Sequence, residues 1–409
     1  MSEAQGLMMQ LIADPAVKAD PYPLYERLRE EHPVFRSVLG PVVVSRYEDC
    51  LEALRDPRLG RGLDIEPPEG HLLSLANLQP DPSRRAELRE SAASNLLFLD
   101  PPEHTRLRRL VSRAFTPQRV ERLRPAATAK VAELLDGMAE AGEVEVMATL
   151  AFPLPVSIIG DLVGVPEADR PRFQGLVRDA ASILEPIVDD ETYQRSVAAQ
   201  TEMRAYFHQL VAERRKNPQD DLVTALAEAR ESDDRLTDAE VVSTIILLFA
   251  AGFETTTNLI GNGLLALLRH PDQLERWRAD PSLGRTGVDE LLRWDPPTQL
   301  NTRTALEPAE VAGEPLERGA AVVILPGAAN RDPRRFDRAD QLDVGRLDNA
   351  PLSFGWGIHH CLGAALARME GEVVFGGLLA RFADIQLVEE PTWRESLTLR
   401  GLTALNVRV

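Results

Sequence analysis

Two short stretches of this chain combine residue types and spacings that could do chemistry: a cysteine among glycines and histidines, and a glutamate followed by threonines. The first is Ser353-Phe354-Gly355-Trp356-Gly357-Ile358-His359-His360-Cys361-Leu362-Gly363, which follows Pro351 and leads into a helical pattern over Ala364–Leu379. Cys361 thus falls at a turn-to-helix junction, where glycines permit close backbone approach and unpaired amide donors stabilise a thiolate. That environment suits an anionic sulfur ligand. A lone cysteine is more often an inert buried hydrophobe, and it is the Phe-Gly-x-Gly-x-His-x-Cys-x-Gly spacing that favours the ligand. Cys361 beside His359 and His360 also has the composition of a nucleophile-base pair for acyl transfer, but sequence neighbours seldom have the geometry. A zinc site would need a second spaced ligand pair, which the sequence lacks.

The second stretch is Ala250-Ala251-Gly252-Phe253-Glu254-Thr255-Thr256-Thr257. It lies inside a long periodic segment that opens with Thr237-Asp238-Ala239-Glu240, the form of a capping box, and runs to His270 before Pro271. The pattern predicts a central helix over 237–270, about 50 Å long at ~1.5 Å per residue. Apolar residues surround it almost completely, which predicts burial on all sides and makes a carboxylate and neighbouring hydroxyls costly there. Two readings follow. In one, the small residues at 250–252 open a face for a ligand and a water. Glu254 and Thr255, about 100° apart around the helix, then act as successive stations of a proton path. In the other, the helix is kinked, its threonines bond to backbone carbonyls and Glu254 is salt-bridged elsewhere.

The elements that must position these stretches are predominantly helical, with short β-rich pieces at Pro41–Ser45 and Ala320–Leu325. Helical segments follow one another over Pro117–Gly142 and from Glu167 to Asn217-Pro218, and a Pro- and Gly-bearing segment over 60–96 without sustained periodicity is a candidate lid. No low-complexity linker splits the 409 residues, which predicts one domain over 1–409. The composition, 44% hydrophobic and 27% charged, excludes global disorder and fibrous repeats. A net charge of −18 disfavours nucleic-acid binding through the overall field. Two distant cysteines, Cys50 and Cys361, predict thiols. The first residues lack the basic region and cleavage site of a signal peptide, so a cytoplasmic enzyme is expected. The longest nearly apolar run, Val241–Phe253, falls short of the roughly 18 to 20 residues of a membrane span, so no membrane anchor is expected.

The cysteine segment resembles the ligand loop of the cytochrome P-450 haem-thiolate monooxygenases, through Phe354, Gly355, Gly357, His359, Cys361 and Gly363. Ala251-Gly252-Phe253-Glu254-Thr255-Thr256 is similar to that family's oxygen-activation motif, and Glu290-Leu291-Leu292-Arg293 to its Glu-x-x-Arg motif, in the family's order. Asp100-Pro101-Pro102-Glu103-His104-Thr105-Arg106-Leu107-Arg108 and Ala329-Asn330-Arg331-Asp332-Pro333 are similar to segments of the soluble bacterial members.

The resemblance implies a mainly α, single-domain fold, helices around haem with smaller β-sheet subregions, and a ligand loop over 351–363. It implies haem b held by Cys361, O2 as cosubstrate, and insertion of one oxygen atom into a hydrophobic small molecule, with Thr255 and Glu254 relaying protons. A haem's carboxylates need cationic or donor partners when buried, and the resemblance places these at His104, Arg108, Arg303 and His359. It makes Glu290, Arg293 and Arg346 a buried structural network. It implies electrons from NAD(P)H through a ferredoxin or flavodoxin and its reductase. An acidic partner of that kind would be steered by the basic run Arg106, Arg108, Arg109, Arg113, Arg119, Arg122 and Arg124 with Arg368. As substrate-pocket walls it points to Leu247, Leu248, Ala251, Thr298, Gln299 and Leu300. A non-catalytic haem-thiolate sensor, which would not need the Glu254-Thr255 relay, is the alternative.

Overall fold

The capping box forms: Glu240 N donates to Thr237 Oγ1 at 3.2 Å and Thr237 N donates to Glu240 Oε2 at 2.7 Å. It starts one continuous helix, Asp238–Arg269, with no break at the threonines. The computed structural model describes residues 2–69, 89, 92–185, 188–231 and 234–409, and much of the lid candidate at 60–96 therefore lies outside the described residues. Helices Pro153–Val163, Asp190–Lys216, Gly284–Trp294 and Ala364–Arg381 pack around the central helix. Its apolar residues Val241, Ile245, Phe249, Phe253, Ile260 and Leu264 are buried in the main core. By length and composition this helix could cross a membrane, which corrects the estimate from the run Val241–Phe253. Ser243 and Thr244 interrupt that run without ending the helix, and the apolar surface is covered by neighbouring helices.

The β-rich pieces meet in one sheet, ordered Val34–Arg36, Val42–Val44, Ala321–Ile324, Asn301–Ala305 and Leu59–Gly60. Val42–Val44 and Ala321–Ile324 pair in parallel, Val322 opposite Val42, and Arg303 lies opposite Val322 on the next strand. Strand alternation divides their side chains between two satellite cores. Val42, Val44, Val322 and Ile324 face Tyr47, Leu54 and Phe336, while Val43 and Val323 face the N-terminal residues Leu11, Tyr25 and Leu28.

Glu290, Arg293 and Arg346 assemble as the resemblance implied. Arg293 Nε and Nη2 donate to Glu290 Oε2 and Oε1, each at 2.7 Å, and Arg346 Nε donates to Oε2 at 3.1 Å. Asp343 N and Asn349 Nδ2 fill the remaining acceptor positions. Arg293 also donates to the carbonyls of Asn330, Ala339 and Gln341. From Asn330 the network reaches the ligand loop: Leu352 N donates to Asn330 Oδ1 at 2.7 Å, Asn330 Nδ2 donates to Ser353 Oγ at 2.9 Å, and Ser353 Oγ donates to Leu292 O at 2.6 Å. The ion pair therefore anchors the segment that carries Cys361.

A second buried acid joins the two functional stretches. Glu370, on the helix that follows the loop, is 1% exposed. Burial pushes its carboxyl up to about 8, against the opposing pull of the Thr256 hydroxyl from the central helix.

Two predictions follow from these contacts. Glu290→Ala leaves two guanidinium groups buried without their carboxylate, a loss of about 3 to 5 kcal/mol. It should fall in thermal midpoint and soluble yield, with Glu290→Gln less affected. Glu370 keeps its proton in the folded protein between about 4.5 and about 8, while the unfolded chain releases it. The folded state binds the extra proton, so the group's contribution is fully present below the lower value and is lost as pH rises to the upper. The stability of Glu370→Gln relative to the parent should climb across that window and level off above it. A pH-independent difference in thermal midpoint would refute the neutral carboxyl.

Candidate functional site

Positive φ at Gly355 (+65°) and Gly357 (+69°) shapes the ligand loop. A Cβ on residue 357 would lie 2.8 Å from Leu54 O, so the loop can approach the helix Tyr47–Arg55 only with glycine there. The chain then folds back on itself, Cys361 N donating to Phe354 O at 2.9 Å and His360 N to Gly357 O at 3.1 Å. Arg368 stacks on Phe354 at 4.5 Å and pairs with Asp289. Cys361 has accessible surface at this junction, unlike the buried thiol of Cys50, although the surrounding fold encloses it closely enough to desolvate its sulfur. Desolvation pushes its thiol up, while the amides of Gly363 and Ala364 and the charges of Arg108 and Arg368 pull it down. The helix-start donors expected from the sequence are present, but they do not outweigh burial by themselves. Among the described residues, the carboxylate and histidine cluster with metal-ligand spacing is Glu3, Glu31 and His32, remote in sequence from Cys361.

On the central helix the hydroxyls part company. Thr257 donates to Ala151 O at 3.0 Å and is fully buried; Thr256 faces Glu370; Thr255 donates to Ala251 O at 2.6 Å and is half-buried. Ala251 is exposed in the middle of an otherwise buried helix, and a Cβ added at Gly252 would meet only Ile159, at 3.7 Å. The small residues thus open one face, and Thr255 stands on it. Glu254 does not: it is 1% exposed and ion-paired with Arg394. Both sequence readings hold in part, an opened face at Thr255 and a salt-bridged Glu254, without a kink.

The four residues expected to meet haem carboxylates converge from separate elements. His104 and Arg108 lie on helix Glu103–Ala114, Arg303 on its strand and His359 on the ligand loop. The rings of His104 and His359 are 4.3 Å apart. Arg108 Nη2 donates to His360 O at 2.8 Å, and Arg303 Nη1 to Asn301 Oδ1 at 2.8 Å. Both ring nitrogens of His104 and Nε2 of His359 are buried without a hydrogen-bond partner among the described residues. Burial holds His104 down at about 4, with Arg108 and Arg61 pushing the same way and Asp100 opposing. His359 is held further down by burial and then by Arg61, Arg303, His104 and Arg108. Arg303 is lowered to about 10 by burial, against the pull of Asp100. Donors collected in low dielectric with so little negative charge fit a buried dianion. With an accessible Cys361 and an opened small-residue face, they fit haem.

Arg61 and Arg394 escaped the sequence reading. Arg61 sits between two glycines, a signal that could have marked it; Arg394 lies in no motif, and its pairing with Glu254 is visible only in three dimensions.

The pocket candidates divide. The segment 297–300 is joined to 398–400, with Thr298 bridging Leu399 and Gln299 N donating to Thr398 O at 3.0 Å. Thr298, Leu247 and Ala251 retain exposure, whereas Leu248 is buried in the main core. Gln299 and Leu300 are corrected: Gln299 Nε2 donates to Pro296 O at 2.8 Å, and Leu300 packs with Leu24, Tyr25 and Val323 in the N-terminal cluster. Both side chains are buried there, Gln299 Oε1 without a hydrogen-bond partner among the described residues. The basic run is also partly neutralised. Arg106 pairs with Glu240 and Asp234, Arg119 with Asp220, and Arg124 with Glu121 and Glu372.

Comparison with known proteins agrees with this geometry. The family model described as Cytochrome P450 matches residues 77–281 and 285–399. Cytochrome P450 107B1 of Saccharopolyspora erythraea is 39% identical, covering 98% of both chains. The 6-deoxyerythronolide B hydroxylase of the same organism is 38% identical, covering 95% of this chain and 96% of the relative. The crystal structure of ligand-free CYP164A2 from Mycobacterium smegmatis superposes with a TM-score of 0.89 at 38% identity, covering 99% of this chain and 100% of that one. On this evidence, and with Cys361 at its turn-to-helix junction, the chain belongs to the cytochrome P450 family of haem-thiolate monooxygenases.

Proposed function

We propose that this monooxygenase inserts one oxygen atom from O2 into a hydrophobic small organic substrate, by hydroxylation, epoxidation or dealkylation. The observation that carries the reading is the joint presence of an exposed, amide-supported Cys361 and a central helix opened at Ala251, Gly252 and Thr255. Cys361 would hold haem b, with His104, Arg108, Arg303 and His359 holding its carboxylates. Bound there, haem supplies oxygen activation, its thiolate ligand donating electron density that favours O–O cleavage.

The chain's own residues govern protons and substrate. Thr255 commits its proton to Ala251 O, which leaves its oxygen lone pairs free to accept from a water on the opened side. Glu254 is a quarter-turn away around the helix and held by Arg394, so a proton it supplies reaches Thr255 around the helix. Leu247, Ala251 and Ile159 give the opened side an apolar character that favours hydrophobic substrates.

Electrons come from NAD(P)H through a ferredoxin or flavodoxin with its reductase. Support for an acidic partner comes from the arginines of the 106–124 run and from a recess of about 330 Å³ lined by Arg113, Thr116, Arg119 and Arg122. Free thiols and an acidic balance suit a cytoplasmic location.

The test is the absorption spectrum of the purified protein, oxidised and then reduced under carbon monoxide. A thiolate-type shift is expected in the parent and its loss in Cys361→Ser. NAD(P)H consumption with redox partners should rise with substrates that change the haem spin state, and a spectrum without turnover would favour a sensor. A positioned proton donor contributes about a hundredfold or more, so Thr255→Ala should divert most electrons from product to peroxide. Unchanged coupling would remove Thr255 from the path.

A further inference from the structure

The loop Gly60-Arg61-Gly62 leaves the sheet at its short outer strand, which pairs with Asn301–Ala305. A Cβ on residue 60 would lie 2.2 Å from Asp100 Oδ1, and one on residue 62, where φ is +57°, would lie 2.6 Å from Thr304 Cγ2. The backbone is pressed between Asp100 and the sheet, and Asp100 accepts from Arg61 N at 2.8 Å and Gly62 N at 2.7 Å. Residue 61 alone in this loop carries a side chain, and that side chain is an arginine in a residue only 6% exposed. Among the described residues, its Nη1 makes a long contact, 3.3 Å to Thr302 O, and its Nε has no hydrogen-bond partner. The Asp100 carboxylate is already committed to backbone amides. Arg303 lies near enough to repel Arg61.

A buried guanidinium with spare donors, beside a second guanidinium, calls for an anion. Resting on the haem reading above, we propose that Arg61 donates charge-assisted hydrogen bonds to a haem carboxylate, as a further contact beside His104, Arg108, Arg303 and His359. The close packing of Gly60 and Gly62 is what aims it, and through it the start of the 60–69 segment is tied to the cofactor.

The test compares the holoprotein with Arg61→Ala, Arg61→Lys and Arg61→Gln by the rate of haem transfer to excess apomyoglobin, and by the haem propionate bending bands in resonance Raman spectra. Hydrogen bonds to charged groups are worth enough for a rate change of about tenfold or more. Arg61→Ala should lose haem faster by that factor and shift a propionate band, with Arg61→Lys between it and the parent. A merely structural role would not move the band. Should Arg61→Ala fail to fold, the Lys and Gln variants carry the same comparison. Unchanged transfer and unchanged bands in variants that keep a thiolate-type carbon monoxide spectrum overturn the assignment alone. A parent protein without that spectrum overturns the haem reading and this assignment with it.

Discussion

A desolvated sulfur cannot remain anionic without help, and that constraint governs the architecture around Cys361. Burial raises its thiol more than the amides of Gly363 and Ala364 and the charges of Arg108 and Arg368 lower it. A metal bound to the sulfur, as proposed, would add the stabilisation that the thiolate form needs. Such a bond tolerates little positional error. The loop is accordingly fixed at both ends: by Asn330 and Ser353, which lead back to Arg293 and Glu290, and by the Cys361 N to Phe354 O bond. Glu290 therefore matters to function through position, at a distance from any reacting atom.

The central helix solves a related problem, placing polar chemistry in an apolar core. Each hydroxyl and carboxyl has a separate destination. Thr257 serves a neighbouring carbonyl, Thr256 meets a neutral Glu370, Glu254 meets Arg394, and Thr255 bonds within its own helix. Thr257 and Thr256 consume their polarity in packing, Glu254 is buried beside Arg394, and Thr255 remains at the opened face. The proton role proposed for Thr255 accords with this placement as well as with its position in the motif.

Legibility in the sequence tracked how local each interaction is. The capping box at Thr237, the strands at 41–45 and 320–325 and the Cys361 loop are specified by residues a few positions apart, and they formed. Glu290 and Arg293 lie one turn apart, but their buried network was implied by the family resemblance. Arg346 came from the family resemblance, since nothing local ties residue 346 to residue 290. Arg394, Glu370 and Arg61 find their partners across the fold, where spacing carries no information. Gln299 and Leu300 were misplaced for another reason. Their segment does lie against 398–400, but a chain pattern does not say which side each residue faces, and theirs is the N-terminal cluster. The apolar run ending at Phe253 understated the helix because a count of consecutive apolar residues stops at Glu254, whereas the helix continues through the polar residues to Arg269.

The charge distribution links cofactor and fold. The chain carries −18 overall, yet Arg61, Arg108 and Arg303 gather around two histidines that burial keeps neutral. In the protein alone these groups repel one another in a low-dielectric setting, a cost that a bound dianion turns into attraction. Binding energy at this site is then folding energy, because a group that binds only the folded chain stabilises it. The ligand loop and strand Asn301–Ala305 contribute donors to the same cluster, as does helix Glu103–Ala114, so a cofactor held there as proposed would join three elements. Such a group would also meet the ring nitrogens of His104 and His359, which have no hydrogen-bond partner among the described residues.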